Sequence, residues 1–304
     1  MIWHGAQPVK SQRPRGSGAV LDWPPDRHLR RPRRCDLTSS TPDALWASGS
    51  VKLLRPAAVV CDRLTRSVRG VRLLDGLDLT IRVGARVLVV SEPPESASLL
   101  LRILAGLARA GSGTIRIAGV SRGDDSPSGW ARRIGYVGPE SGIYPWMSPG
   151  EVLDLAGTLA GYEPEERHRR TEAVADRYRL GVRLDEPVQR GGPALAQRTA
   201  LASTMLTDPE VVLLDEPLRA ADPAERRRLL NLPGRRRTVL LASRFPASEA
   251  GIVNEVLLLR EGRVALRAPT RDLEEHGLEL SLRGIEALAE FRAEDRSAAV
   301  AAAR

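Results

Sequence analysis

The chain has 304 residues, of which 42% are hydrophobic and 28% charged, a balance typical of a soluble globular protein with one large or two small domains. It contains no run of 18 apolar residues, no apolar signal-peptide core and only two cysteines, so the sequence predicts no membrane span, no export and no disulfide framework. The net charge of +8 does not indicate a nucleic-acid-binding surface, because half of the excess lies within residues 1–50.

Residues 1–50 contain eight basic residues and four aspartates, and they are rich in proline, serine and glycine. They show neither helical nor strand periodicity, which predicts a disordered leader. The arginine cluster at residues 30–34 leaves two interpretations open. It is either part of a solvated tail, which the composition favours, or a segment that binds anionic lipid or nucleic acid.

From residue 57 the pattern becomes that of a folded domain. Residues 77–83 alternate between apolar and polar, as a strand with one wet face does, and residues 87–90 form a short apolar run typical of a buried parallel strand. Residues 91–98 are predicted to be a loop, and residues 99–108 a helix with apolar side chains at helical spacing. Residues 114–118 and Ile134–Val137 predict two more short strands.

Residues 150–182 have a helical pattern, with one apolar stripe made by Val152, Leu155, Ala156 and Leu159. Pro164 is expected in the first turn of a second helix. Strands are predicted again at residues 211–214, Thr238–Ala242 and residues 255–259. Strands and helices therefore alternate around an all-helical insert, which predicts an α/β fold with a parallel sheet and an inserted helical subdomain.

Five ordered segments carry a resemblance to a known family: residues 71–79, 100–107 with 111–114, 134–137, 208–217 with 222–223, and 259–264. Together they resemble the ATP-binding cassette (ABC) ATPase domain, especially that of bacterial exporters. The resemblance implies a P-loop NTPase-like fold, with a parallel core sheet, an antiparallel β-subdomain and a helical insert at about residues 140–192. The expected division is a leader (1–50), the ATPase-like domain (51–276) and a helical tail (277–304).

The segment at the P-loop position departs from its pattern. A P-loop reads G-x-x-x-x-G-K-[ST], since backbone N–H groups and the lysine hold phosphates and the hydroxyl holds Mg²⁺. The matching residues are Ser91-Glu92-Pro93-Pro94-Glu95-Ser96-Ala97-Ser98-Leu99. Serines replace both glycines, two prolines remove N–H donors and alanine replaces the lysine. Only Ser98 keeps its type, as a possible ligand of Mg²⁺.

Other nucleotide contacts implied by the resemblance are also altered. Val68 stands near the position of an adenine-stacking aromatic residue, and Pro139 stands at the position of the glutamine that senses Mg²⁺. Arg244 replaces the histidine that follows the strand Thr238–Ala242. The signature segment retains Gly191 and Gly192 but has lost its serine. These changes predict weak or absent binding of Mg-ATP, with a Kd above roughly 1 mM.

The Walker B motif is intact. Four apolar residues precede Asp215 and Glu216, and Asp222 occupies the D-loop position. The resemblance gives Asp215 the role of supporting Mg²⁺ and Glu216 that of activating water. The other interpretation is a buried strand that ends in carboxylates, which the altered P-loop favours, because a carboxylate base needs a positioned substrate.

Residues 143–147, which read Ile-Tyr-Pro-Trp-Met, follow the glutamine-loop position. The resemblance places the docking of a membrane partner at this segment, and aromatic and methionine side chains are enriched in interface cores. Trp146 could equally cap the core of the protein itself. Both interpretations stay open from the sequence.

These observations predict an ATP-binding subunit of an ABC transporter with weak or no ATP hydrolysis. The resemblance implies as partners an integral membrane permease and a second ABC ATPase domain, identical or different, and a cytoplasmic location at the inner face of the membrane. A non-catalytic scaffold or regulatory partner is the main alternative, and a decaying gene product is another. A dehydrogenase is excluded, because no G-x-G-x-x-G follows a strand.

Overall fold

The computed structural model describes residues 56–121, 127–234 and 236–302. Within them the chain forms two β-sheets and eight α-helices. The predicted leader at residues 1–50 lies outside the described residues. The mixed α/β architecture predicted from the alternation of strands and helices is confirmed.

The smaller sheet is antiparallel and has the strand order β2-β1-β4-β5. Its strands are β1 (Ala57–Val68), β2 (Val71–Arg82), β4 (Ser112–Ile117) and β5 (Val120–Ser121). Arg69 and Gly70, both with positive φ, turn β1 into β2 as a tight hairpin. This sheet is the antiparallel subdomain that the family resemblance implies.

The larger sheet has the order β10-β9-β3-β8-β7-β6. Its strands are β3 (Arg86–Glu92), β6 (Ile134–Val137), β7 (Val211–Asp215), β8 (Thr238–Ala242), β9 (Glu255–Arg260) and β10 (Arg263–Pro269). The first five of these strands are parallel, and β10 is an antiparallel edge. Every residue of β7 and β8 is buried, as expected for central strands that are covered on both faces. The carboxyl ends of β3, β8 and β7 therefore meet at one edge of the sheet.

The first helix packs against the large sheet. The buried side chains of α1 (Glu95–Leu104) include Leu100, Leu101, Ile103 and Leu104. The predicted loop at residues 91–98 is wrong at both ends, because β3 pairs with β9 as far as Glu92 and α1 begins at Glu95. Pro94 supplies the N-cap with φ of −56°, an angle that proline already favours, so the helix starts earlier than the apolar pattern indicates.

The helical insert follows β6. Its helices are α3 (Pro149–Leu159), α4 (Pro164–Arg177) and α5 (Gly192–Leu206), after the short α2 (Pro127–Ala131) that precedes β6. Pro164 lies in the first turn of α4, as predicted. The apolar stripe of α3 is only partly buried: Leu155 and Leu159 are 46% and 78% exposed, whereas Ala156 packs against the core. At Gly157 the side chain of Arg167 from α4 comes so close that a methyl group there would lie 2.5 Å from its Cγ, so the approach of α4 favours glycine on this side of α3.

The chain continues through α6 (Pro223–Leu230), α7 (Arg271–Glu275) and α8 (Leu282–Ala302). Ile285 and Leu288 of α8 are fully buried in the core, so this helix packs against the domain. Among the described residues, no helix combines the length and the hydrophobicity needed to cross a membrane.

Candidate functional site

The segment at the P-loop position is a tight turn that hydrogen-bonds to itself. The hydroxyl of Ser91 donates to the carbonyl of Pro93 (2.8 Å) and accepts from the N–H of Ala97 (2.9 Å). The N–H of Ser96 donates to the same carbonyl of Pro93 at 3.1 Å. Two N–H groups at the start of α1, where an anion would bind a helix N-terminus, are therefore already engaged within the segment.

The side chains of this turn are also packed rather than open. Ser96 is fully buried and its hydroxyl has no hydrogen-bond partner, while Ala97 is 4% exposed. Leu99, the last residue of the predicted site, belongs to the hydrophobic core between α1 and the sheets. Glu92 lies at the exposed end of β3, 3.6 Å from Arg260. The segment thus offers no cationic side chain of its own at the position of the missing lysine.

Asp215 lies at the end of β7 and is bound by two hydroxyl groups. Ser98 donates to Oδ1 at 2.8 Å and Tyr136 donates to Oδ2 at 3.3 Å. Burial raises the pKa of the Asp215 carboxyl above its usual value, although the two hydroxyl donors act in the opposite direction. Burial, followed by the neighbouring Asp215 charge, raises the pKa of Tyr136 as well. The predicted pair of Mg²⁺ ligands, Ser98 and Asp215, is therefore brought together, but as a direct hydrogen bond.

Glu216 follows directly and has a different partner. Its carboxylate Oε1 accepts from the backbone N–H of Arg244 at 2.9 Å and from the guanidinium Nε of Arg244 at 3.0 Å. Glu216 is 8% exposed, so the contact with Arg244 gives this buried carboxylate a partner of opposite charge. The structure thus joins two residues that the sequence assigned to separate motifs.

Pro139 and the signature region meet through one side chain. The amide Nε2 of Gln197 donates to the carbonyl of Pro139, and its Oε1 accepts from the N–H of Ala220, both at 3.4 Å. Gln197 on α5 therefore connects the segment after β6 with the segment after β7. Pro139 contributes a backbone carbonyl here, not a side chain.

The remaining predicted residues begin helices. Gly191 is the N-cap of α5 and Gly192 its first residue, with φ of +66°. A side chain at Gly191 would overlap Leu195, with a contact of 2.4 Å, so the close packing there requires glycine. Asp222 caps α6 by accepting from the N–H groups of Ala224 (3.0 Å) and Glu225 (2.9 Å).

Comparison with known proteins agrees with this arrangement of strands and turns. The family model described as ABC transporter matches residues 74–219. The chain is 31% identical over 219 residues to an aliphatic sulfonates import ATP-binding protein of Rhizobium johnstonii, covering 70% of this chain and 78% of that protein. This chain belongs to the ABC transporter family. It is also 32% identical over 224 residues to a nickel import ATP-binding protein of Rhodobacter capsulatus, covering 67% and 86% of the two chains.

The ABC fold is also found in a solved structure described as the ATP-binding subunit of an ABC transporter. The two folds superpose with a TM-score of 0.65 at 21% identity, over 77% of this chain and 99% of that one. The fold class predicted from the sequence is therefore confirmed.

Members of this family bind Mg-ATP, and the residues of this chain fit that group poorly. The hydroxyl of Ser91 takes the N–H of Ala97, Ser98 is bonded to Asp215, and Glu216 is paired with Arg244. Among the residues that the structure describes, no three His, Cys, Asp or Glu side chains are grouped to hold a metal ion.

The segment at residues 143–147 presents an aromatic pair to solvent. The rings of Tyr144 and Trp146 stack with centroids 4.8 Å apart and planes at 22°, and the two residues are 59% and 66% exposed. The turn that carries them is fixed by hydrogen bonds from Val188 N to Met147 O (2.9 Å) and from Gln189 N to Pro145 O (3.0 Å). Of the two interpretations of Trp146, the cap on the protein's own core is thus excluded.

Sequence reasoning missed three contributors to this region. The sequence places Tyr136 in a strand, and nothing in the pattern of that strand indicates that the tyrosine hydroxyl contacts Asp215. Arg226 and Glu249 form a buried ion pair near Glu216, and burial raises the pKa of Glu249. An arginine within α6 and a glutamate after β8 carry no local pattern that predicts their contact.

Proposed function

We propose that this chain is a non-hydrolysing ATP-binding subunit of an ABC transporter. In this role it binds a membrane permease at the inner face of the membrane and pairs with a second ABC ATPase domain, while contributing little or no nucleotide binding of its own. Membership of the family supports the transporter role, and the names of two relatives, both import ATP-binding proteins, support a permease partner.

The main support for weak or absent nucleotide binding is that the N–H of Ala97 is already bonded to the hydroxyl of Ser91. A phosphate would have to displace the hydroxyl of Ser91 from that N–H, and no lysine follows Lys52 to provide the missing charge. A hydrogen bond to a charged group is worth about 1.5–3 kcal/mol, so the loss of the lysine alone weakens binding roughly 10- to 100-fold. The two prolines of the turn remove further donors.

The stacked aromatic pair supports docking to a permease. Tyr144 and Trp146 are held on a fixed turn, so binding a partner would cost little conformational entropy. Exposed Leu155 and Leu159 of α3 add apolar surface to the helical insert. Large aromatic residues on a rigid base are the usual anchors of protein interfaces.

ATP hydrolysis by the purified full chain tests this proposal. We expect phosphate release at the background rate, and the same rate from the Glu216→Gln variant. A turnover in the native chain that disappears in Glu216→Gln would show that the site is active and would contradict the proposed function. The variant retains the size of the side chain and can still accept from Arg244 through its amide oxygen.

A further inference from the structure

The carboxylate of Glu216 is held at one oxygen by two donors from the same residue. Arg244 donates to Oε1 through its backbone N–H (2.9 Å) and through Nε of its guanidinium (3.0 Å). The side chain of Glu216 is 10% exposed and that of Arg244 is 51% exposed. The buried carboxylate therefore faces a guanidinium, and the guanidinium faces solvent.

The backbone holds both residues in this arrangement. Glu216 has φ of +50°, in the left-handed region that non-glycine residues seldom adopt. Its N–H donates to the carbonyl of Ala242 at 3.0 Å, which ties the end of β7 to the end of β8 just before Arg244. A strained backbone angle persists only where the surroundings fix it, so the position of the carboxylate is determined by the fold.

This contact matters for chemistry at Glu216. A carboxylate acts as a general base when a free lone pair accepts a proton from a positioned water molecule. Oε1 already accepts two hydrogen bonds, one of them charge-assisted, so Oε2 is the oxygen of this carboxylate that is left to accept a proton from water.

None of these contacts involves the P-loop segment. The N–H of Ala97 donates to the hydroxyl of Ser91, which donates to the carbonyl of Pro93, whereas Ser98 bonds to Asp215. Glu216 and Arg244 bond across the ends of β7 and β8. The contacts of Glu216 with Arg244 are therefore separate from those that close the P-loop segment on itself.

We infer that Arg244 is a positioning residue that fixes the Glu216 carboxylate in an ion pair and thereby forms a second block on hydrolysis, independent of the altered P-loop. The inference rests on the proposed function, since it concerns the same site. If Arg244 acts in this way, a chain in which only the P-loop is rebuilt will bind nucleotide but will not turn it over.

A double-mutant cycle in the native full chain tests whether Arg244 holds the carboxylate. The variants are Arg244→Met, Glu216→Gln and the combination of both, with Arg227→Met on the exposed face of α6 as the matched control. Arg244→Met leaves a buried unpaired carboxylate, so we expect the folding equilibrium constant to fall about tenfold or more. The combination should recover most of that loss. Strictly additive effects of the two single changes would overturn the inference.

A second experiment in the full chain tests the effect on turnover. Ser91→Gly, Pro93→Asn, Pro94→Gly, Ser96→Gly and Ala97→Lys rebuild the P-loop, and the rebuilt chain is compared with and without Arg244→Gln. We expect Arg244→Gln to raise kcat about tenfold or more while the Kd for Mg-ATP changes less than about threefold. Glu216→Gln should abolish the gain, and Arg244→Lys, which keeps the charge, should give a smaller one.

The outcomes separate the inference from the function on which it rests. The inference about Arg244 would be overturned if the rebuilt chain had the same turnover with and without Arg244→Gln, whether that turnover is high or absent. The proposed function would stay intact in that case. Turnover by the native chain would contradict the proposed function, whatever the cycle between Arg244 and Glu216 shows.

Discussion

At the scale of single residues, three buried carboxylates lie near the carboxyl ends of β7 and β8, and each is compensated differently. Asp215 is bound by two hydroxyls, Glu216 by Arg244, and Glu249 by Arg226. Buried charges require partners, because transfer of an unpaired carboxylate from water into a protein interior is costly. Of these three carboxylates, Asp215 is the one whose hydrogen bonds come from hydroxyl groups, and burial raises its pKa.

The raised pKa of Asp215 predicts a pH-dependent effect of Asp215→Asn. A carboxyl group whose folded pKa lies above its unfolded value of about 3.9 stabilises the protein below that value and loses this contribution as the pH rises through the folded pKa. The variant has no such loss. Relative to the native chain, its free energy of unfolding should therefore increase between about pH 4 and pH 7, as measured by urea denaturation.

Asp75→Asn provides the opposite control. Hydrogen bonds from Arg263 and then Arg72 lower the pKa of Asp75, so its contribution to stability is present at neutral pH and is lost as the pH falls. The free energy of unfolding of Asp75→Asn, relative to the native chain, should therefore decrease as the pH rises. Parallel trends for the two variants would contradict the assigned environments.

The ion pair of Arg226 and Glu249 predicts a large single-residue effect. Both side chains are buried, at 9% and 0% exposure, so Arg226→Met leaves an uncompensated charge. Breaking such a pair costs about 3–5 kcal/mol, whereas exposed pairs contribute about 1 kcal/mol or less. Arg133→Met, which breaks the exposed pair with Glu210, is the matched control. Equal losses for the two variants, measured by chemical denaturation, would contradict the predicted difference.

The sequence predicted part of this residue-level arrangement. Asp215 and Glu216 were identified because they follow an apolar strand, and Ser98 because it keeps its type in the P-loop pattern. The contacts of Tyr136 and Arg244 could not be predicted, because they join residues that are 79 and 28 positions apart. Such contacts depend on which strands are neighbours, and no local pattern contains that information.

At the scale of elements, local periodicity predicted the buried parallel strands well and the exposed surfaces poorly. Thr238–Ala242 matches the predicted strand in full, because an apolar run between polar turns is typical of a strand covered on both faces. Ile134–Val137 also matches in full, as an edge strand that is buried at alternate residues. The predicted stripe on α3 is only partly buried, since Leu155 and Leu159 are exposed whereas Ala156 packs against the core. Apolar spacing identifies a helix, but the face that packs depends on its neighbours.

The segment at residues 143–147 leads to a prediction about two tryptophans. Trp146 is 66% exposed and Trp130 is 6% exposed. Trp146→Ala should change the free energy of unfolding by less than about 0.5 kcal/mol, whereas Trp130→Ala should cost about 3–5 kcal/mol. Denaturant titration of the two variants checks this difference. A loss above about 2 kcal/mol for Trp146→Ala would show that the ring contributes to the core rather than being available for docking.

At the scale of the whole molecule, the sheet order explains why the altered motifs lie together. The neighbouring strands β3, β8 and β7 end at the P-loop turn, at Arg244 and at the Asp215-Glu216 pair, respectively. Ligands of open α/β sheets bind at the carboxyl ends of the strands. In this chain the side chains at that edge hydrogen-bond to one another: Ser91 with Ala97, Ser98 with Asp215, and Glu216 with Arg244. The fold is retained, but the groups at its ligand-binding edge already have partners within the protein.

The melting temperature of the full chain in the presence of Mg-ATP tests this account most directly. Ligand binding stabilises the folded state by mass action, so a Kd above roughly 1 mM gives less than about 0.5 kcal/mol at about 1 mM nucleotide. For a chain of this size we therefore predict a rise below about 2 °C. A rise of about 5 °C or more, which corresponds to a Kd near 10 μM, would contradict the account and show that Ser98 and Asp215 still organise a nucleotide site.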